Sequence, residues 1–188
     1  NLPGAEETLA LVKQDGGEAT AFHLDVSSAQ SVQAMVDLAL QKHDNRVDIL
    51  VNNAGIWKLL PTEEISEEEW DRIVNVNLRG PFLTCRAVFP IMKKQRRGHI
   101  VNIASVAARN GGTFAGAHYV ASKGGLLALT KKLVKELGQY GIVVNGVNPG
   151  PGLTDMTAEW PRSVIEGVIK NTPLGRMAEP EDIADAVA

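Results

Sequence analysis

Two hydrophobic periods alternate along this chain. Short runs rich in β-branched residues recur between longer stretches whose apolar positions fall three and four apart. Residues Gly4 to Gln14 read as a helix, and Ala19 to Leu24 as a strand that stops at Asp25-Val26-Ser27. Ser28 to Lys42 is helical by spacing, with Val32, Met35, Val36 and Leu40 on one side. Val47 to Val51 predicts a strand ending at the turn Asn52-Asn53-Ala54-Gly55. Ser66-Glu-Glu-Glu69 has the form of a capping box and opens a long helix to about Gln95. His99 to Ala104 is a strand that delivers Ser105, and a helix runs from about Ala117 to Tyr140. Gly141 to Val147 is the next strand, followed by Pro149-Gly150-Pro151-Gly152, one shorter helix, and a helical start at Glu179.

Strands that alternate with helices predict one α/β domain over residues 1–188, built on a mainly parallel sheet covered on both faces. Ligands of such sheets collect at the carboxyl ends of the strands. The four predicted strands end at Asp25, Asn53, Ser105 and Pro149-Gly150. Any one of these could be a simple turn former, but four together favour a ligand-binding edge. No Gly-x-Gly-x-x-Gly occurs, although a doubly wound dinucleotide fold normally carries that loop after its first strand. The chain begins inside one helical pattern and stops inside another that has no C-terminal stop signal. The reading is of a domain lacking elements at both ends, the alternative being a fold that never used the loop.

Composition narrows the function classes. An apolar content of 44% with 22% charged residues suits an ordinary globular domain, and the formal charge of −3 recruits neither nucleic acid nor an anionic membrane. The single cysteine, Cys85, excludes an intrachain disulfide and suits a reducing, cytoplasmic setting. No apolar run approaches the roughly 20 residues needed to span a bilayer. The four histidines and Cys85 lack metal-ligand spacing, so no metal site is expected. Lys93-Lys-Gln-Arg-Arg97 is either a solvated, helix-stabilising cationic end or a docking patch for an acidic carrier protein.

The candidate chemistry centres on Tyr119 and Lys123, whose i,i+4 spacing puts both on one helix face. An ammonium beside a phenol favours the phenolate, and the helix N-terminus adds to that. Bringing a phenol from about 10 to near neutrality takes roughly 4 kcal/mol of differential stabilisation. Ser105 is either a strand-end hydroxyl capping a local turn or a donor to a substrate oxygen. Trp70, Ile73 and Asn77 follow i, i+3, i+7, which places Asn77 on the apolar face of its helix. Pro81, four residues later, has no N–H to bond the Asn77 carbonyl, which is left free to hold a water. Gly124-Gly125 inside a helix suggests close backbone approach, to a ligand, another subunit, or a neighbouring element. Trp160 and Met156 suggest an apolar wall in a segment from Thr154 to Thr172 lying over the site, and His118 sits one residue off the Tyr119 face.

These residues together resemble the classical short-chain dehydrogenase/reductase family, over essentially the whole chain and most like its 3-oxoacyl-[acyl-carrier-protein] reductases. Asn52-Asn53-Ala54-Gly55 is similar to the family's Asn-Asn-Ala-Gly turn, and Tyr119-Val-Ala-Ser-Lys123 to its Tyr-x-x-x-Lys. The resemblance implies a doubly wound, Rossmann-type parallel sheet lacking the first two strands and the last strand of the family fold. It implies Ser105, Tyr119, Lys123 and Asn77 as catalytic residues, with Ser105 and Tyr119 on the substrate oxygen. Lys123 would lower the Tyr119 pKa and hold the nicotinamide ribose, and Asn77 would anchor a water in a proton relay. Cofactor contacts would come from Asp25, Val26, Asn53, Ala54, Gly55, Tyr119, Lys123, Pro149, Gly150, Gly152 and Thr154. The implied cofactor is NADP or NAD, with NADP favoured by resemblance only. The implied reaction is reduction of a 3-oxoacyl thioester, carried on an acyl carrier protein, in fatty acid biosynthesis. A sugar or other secondary-alcohol dehydrogenase is the alternative, and a homodimer or homotetramer the expected assembly. A second alternative is a non-catalytic fragment or oligomerising partner, which would bind nucleotide poorly for want of the phosphate loop.

Overall fold

Three parallel strands carry the architecture, in the order β1 (Ile49–Asn52), β2 (Gly98–Ile103), β3 (Ile142–Val147). The computed structural model describes residues 2–154, 157–158 and 160–188. Eight helices are described: α1 (Leu2–Gln14), α2 (Ala29–Lys42), α3 (Glu67–Val74), α4 (Gly80–Gln95), α5 (Ala107–Asn110), α6 (Ala117–Leu137), α7 (Arg162–Asn171) and α8 (Pro180–Val187). This is a Rossmann-like α/β arrangement whose sheet has three strands among the described residues.

The register pairs Leu50 with Ile100 and Ile100 with Val144, so side chains of one face line up across all three strands. That face packs on Val36, Cys85, Val88 and Met92 from α2 and α4, and on Leu133 and Leu137 from α6. The opposite face differs from the sequence reading, which has both faces covered. Ile49, Val51 and Val143 are 64%, 41% and 45% exposed. Among the described residues α4 and α6 pack directly on one face of the sheet, and α2 packs against α4.

Ala19 to Leu24 also departs from expectation. Residues 17–25 join no ladder, and among the described residues β1 pairs only with β2. An extended run becomes a strand only through a neighbour's hydrogen bonds, and among the described residues none lies beside it. The end of this segment is nevertheless fixed. Arg79 Nη1 donates to Ser27 O at 3.0 Å, and Val26 lies so close to Gly80 that a Cβ there would meet it at 3.0 Å.

Helix caps follow local chemistry with one correction. Ser66 Oγ accepts from Glu69 N at 3.2 Å, but the Glu69 carboxylate turns to Arg72 at 2.7 Å and Lys58 at 3.8 Å instead of closing the box. A second ionic partner within reach outcompetes one backbone N–H. The full reciprocal box forms at α8, between Glu179 and Asp182. The long helix expected from Ser66 to Gln95 is interrupted by a π turn at Asn75–Arg79, where Gly80 N bonds the Asn75 carbonyl five residues back. Pro81 supplies no N–H, and a wider turn is the usual backbone response to such a gap.

Gly125 sits where α6 crosses that π turn. A Cβ at Gly125 would lie 2.7 Å from Leu78 Cδ2, whereas one at Gly124 meets nothing within 4 Å. Close approach at Gly125 is therefore internal packing. Gly125→Ala is expected to destabilise by about 1–3 kcal/mol through overpacking. Gly124→Ala is expected to stabilise by up to about 1 kcal/mol through helix propensity. Urea unfolding of the two variants, compared with wild type, checks the opposite signs.

The basic run ends α4 at the amino edge of the sheet, the edge away from Ser105. Lys93 Nζ stands 4.8 Å and Arg96 Cζ 5.8 Å from the centre of the Tyr140 ring. These cations cap the helix end and cover an aromatic face.

Candidate active site

The carboxyl ends of β1, β2 and β3 gather most of the residues singled out by the sequence. Pairing between β2 and β3 continues past the strands, with Ala104 N on Val147 O at 2.8 Å and Val106 N on Pro149 O at 3.0 Å. Ser105 is held between these two bonds and is 9% exposed. Its Oγ accepts from Ala107 N at 3.1 Å, the local turn bond expected of a strand-end serine. It also acts on Tyr119, where it favours the phenolate. The two readings of Ser105 are thus compatible: the turn bond aims the hydroxyl and leaves it a proton to donate.

Tyr119 and Lys123 occupy the first two turns of α6. Lys123 is 4% exposed, and its Nζ donates to Ile103 O at 2.8 Å and lies 5.8 Å from the Tyr119 ring centre. Burial pulls the Lys123 pKa down to about 8. Burial also pushes the Tyr119 phenol above its ordinary value, against the opposing effect of Ser105. The sequence reading has Lys123 bringing this phenol toward neutrality, whereas here desolvation is the larger influence on Tyr119 and Ser105 the opposing one, the Lys123 ammonium directing its bond to a backbone carbonyl.

Asn77 is wholly buried and holds the turn after β1 through its side chain. Its Oδ1 accepts from Ile56 N at 2.8 Å, and its Nδ2 donates to Ile56 O at 2.9 Å and Ser122 Oγ at 3.1 Å. Ser122, itself 0% exposed, donates its hydroxyl to the Tyr119 backbone carbonyl at 2.7 Å. The face assignment holds for Ile73 and Asn77, but Trp70 is 41% exposed. Gly55 brings this turn onto the centre. A Cβ there would lie 3.3 Å from Lys123 Nζ and 3.5 Å from Asn77 Oδ1, closing the approach to the ammonium.

Beneath the site runs a buried amide chain that the sequence reading did not find. Thr84 Oγ1 donates to Asn52 Oδ1 at 2.6 Å, Asn52 Nδ2 to Asn102 Oδ1 at 2.8 Å, and Asn102 Nδ2 to Thr130 Oγ1 at 2.8 Å. It ties α4, β1, β2 and α6 together. The Asn-Asn pair of the turn therefore divides: Asn52 is 7% exposed and structural, while Asn53, Ala54 and Gly55 are exposed at the sheet edge. The missed members sit on four separate elements, so only the fold brings them together. Cys85 lies against Asn52, and burial pushes its thiol up to about 12.

The remaining sequence candidates fall at two places. Asp25 is exposed, and its Oδ1 accepts from Ser27 N at 2.9 Å and Ser27 Oγ at 2.7 Å, which holds its pKa below the ordinary value. Pro149 and Gly150 lie at the end of β3, with open space around Gly150. Gly152 is packed against Ala178 O, 3.1 Å from where its Cβ would be, and Leu153 N bonds the same carbonyl at 2.8 Å. Thr154 N donates to Thr157 Oγ1 at 3.2 Å. Met156 lies outside the described residues. Trp160 packs against two rings absent from the sequence reading, Phe114 at 5.2 Å and Trp57 at 6.3 Å between ring centres. An aromatic two residues past the Gly55 turn was the available signal.

A nicotinamide nucleotide fits this edge. An ammonium has three donors, and Ile103 O takes one, so Lys123 can still meet ligand hydroxyls across the side-chain-free Gly55. The bound nucleotide would supply or accept a hydride there. Among the described residues no three His, Cys, Asp or Glu side chains cluster as a metal site, and no helix is long and apolar enough to cross a membrane.

A family model described as short chain dehydrogenase matches residues 1–164. The 3-oxoacyl-[acyl-carrier-protein] reductase FabG of Thermotoga maritima is 39% identical over 171 residues, covering 91% of this chain and 69% of that relative. A cyclopentanol dehydrogenase of Comamonas sp. is 40% identical over 184 residues, covering 96% of this chain and 72% of that one. A solved structure from Sinorhizobium meliloti, assigned to the short-chain alcohol dehydrogenases, superposes with a TM-score of 0.93 at 33% identity. It covers 100% of this chain and 74% of its own.

Proposed function

Because this chain belongs to the short-chain dehydrogenase family, an NAD(P)-dependent oxidoreductase family, we propose that it interconverts a carbonyl and a secondary alcohol at the Ser105–Tyr119–Lys123 centre. The observation that carries this reading is the buried Lys123 ammonium, held on Ile103 O beside Tyr119 and Ser105 at the open edge of the sheet. In reduction Tyr119 gives its proton to the oxygen as hydride reaches the carbonyl carbon. In oxidation the phenolate takes that proton back. Ser105 donates to the oxygen as charge develops on it. Lys123 stabilises the phenolate and binds ribose hydroxyls. Asn77 holds the turn carrying Gly55 and, through Ser122, the first turn of α6.

The substrate reading is a 3-oxoacyl thioester, supported by the name of the Thermotoga maritima relative, and NADPH is taken as the hydride source on the family resemblance alone. A compact secondary alcohol is the second reading, supported by the Comamonas relative and by the aromatic side chains near the site. A cytoplasmic homodimer or homotetramer would form through α4 and α6, where Phe82 and Val134 are 45% and 46% exposed. NADPH oxidation by the purified chain is expected with acetoacetyl thioester, at a higher kcat/KM than with cyclopentanone, and no glucose oxidation is expected with NADP. Turnover confined to cyclopentanone or to the sugar removes the thioester reading.

A further inference from the structure

Three aromatic side chains, one from the loop after each strand, meet over the carboxyl edge of the sheet. Trp57 follows β1, Phe114 follows β2, and Trp160 follows β3. The Trp57 indole is fixed at its polar end, where Nε1 donates to Phe114 O at 2.9 Å. Trp160 inclines at 47° to Phe114 and at 50° to Trp57, with ring centres 5.2 Å and 6.3 Å away. Tilted pairs at these separations are attractive contacts. The loops after β1 and β2 are also joined directly, with Gly116 N donating to Lys58 O at 3.2 Å. The cluster therefore links three loops.

Its position relative to the chemistry follows from the chain. Trp57 is two residues beyond Gly55, which abuts Lys123 Nζ, and Phe114 is five residues before Tyr119. Lys58, the cation next to Trp57, is turned toward Glu69 at 3.8 Å. All three rings are only half-buried, which leaves part of each face free for another apolar group.

We propose that Trp57, Phe114 and Trp160 form the specificity wall of the site, selecting a compact apolar substituent on the carbonyl carbon. A short alkyl group or a five- or six-membered ring fits against such a wall. A long acyl chain does not, because Trp160 joins the loop after β3 to the other two and bars its exit. The inference rests on the carbonyl–alcohol reading of the Ser105–Tyr119–Lys123 centre, and it is compatible with either an acetoacetyl thioester or a cyclic ketone.

The test compares kcat/KM for acetoacetyl and 3-oxodecanoyl thioesters, and for cyclopentanone and nonan-2-one, in wild type, Phe114→Ala and Trp160→Ala. Wild type is expected to favour the compact member of each pair by at least about tenfold, since each methylene a pocket accepts or rejects is worth a several-fold change. Each variant is expected to lose most of that ratio. Equal loss of activity on both members, with the ratio unchanged, means a purely structural role and overturns the proposal. A second readout needs no turnover. Trp70→Phe removes the exposed indole of α3, so that Trp57 and Trp160 alone report. Cyclopentanone, added with oxidised nucleotide so that no hydride is available, is expected to change the emission saturably, and nonan-2-one is not. Equal or absent responses overturn the wall, and this holds even if none of the four carbonyl compounds is reduced, in which case the functional reading fails separately.

Discussion

Tyr119→Phe is expected to lower turnover about 10³-fold in both directions while leaving the fold and nucleotide affinity within twofold of wild type. Only the hydroxyl is lost, and no backbone or core contact depends on it. The ring keeps its place over the first turns of α6, where its amide is held by Gly116 O at 3.0 Å and by His118 Nδ1 at 2.9 Å. The expected loss corresponds to about 4 kcal/mol of transition-state stabilisation, within the range for a positioned acid–base group. The direction of the Tyr119 shift sharpens the expectation. Burial holds the phenol protonated through neutral pH, so wild type begins a reduction with its proton in place. Rates in the reductive direction should therefore be flat through neutral pH, and the Phe variant should show no pH-dependent recovery. Stopped-flow measurement of NADPH oxidation from pH 6 to 9 checks both. A variant retaining a tenth of wild-type rate would remove Tyr119 from the chemistry.

Lys123→Met is expected to separate stability from activity. Burial lowers the Lys123 pKa from 10.5 to about 8 in the folded protein. Below pH 8 the lysine is charged in both states, and the folded state bears the full cost of a desolvated ammonium. Between pH 8 and 10.5 the folded protein has released that proton while the unfolded chain still binds it, so stability rises with pH across this window. The shift corresponds to roughly 3 kcal/mol. The difference in unfolding free energy between wild type and Lys123→Met should thus move by about 3 kcal/mol in favour of wild type from pH 7.5 to 10.5. Urea titrations at a series of pH values measure it, and a difference that stays constant would falsify the assignment. Turnover should fall at least about 100-fold, because the phenolate loses its neighbouring charge. Lys123→Arg should not restore it, since a planar guanidinium does not fit the 4% exposed cleft between Ile103 O and Gly55.

Local features were readable from the sequence wherever a short-range cause controls them. The apolar spacing of Val32 and Val36 placed them in the core, at 1% and 2% exposure. Pro81 marked the disturbance at Asn77, although the wider π turn and the bonds of the Asn77 side chain needed the neighbouring loop to be seen. Ala19 to Leu24 shows the limit. Its residues favour extension, but a ladder depends on what lies beside it, and that is not written in six residues. Ser66 to Glu69 shows the same limit at shorter range, because Lys58 and Arg72 compete for the carboxylate that would have closed the cap.

The proposed proton-transfer centre divides along the same line. Helical periodicity puts Tyr119 and Lys123 on one face, and strand termination puts Ser105 at the ligand edge, so the sequence by itself determined which residues meet. Only the tertiary structure decided their electrostatic state, since a pKa depends on how much water the fold removes. Burial raises Tyr119 and lowers Lys123, whereas the spacing alone predicts a depressed phenol. The aromatic cluster was only partly legible, since the sequence suggested an apolar wall at Trp160 but not the two rings that join it. Trp57, Phe114 and Trp160 are scattered over a hundred residues and become neighbours only because three parallel strands end at the same edge.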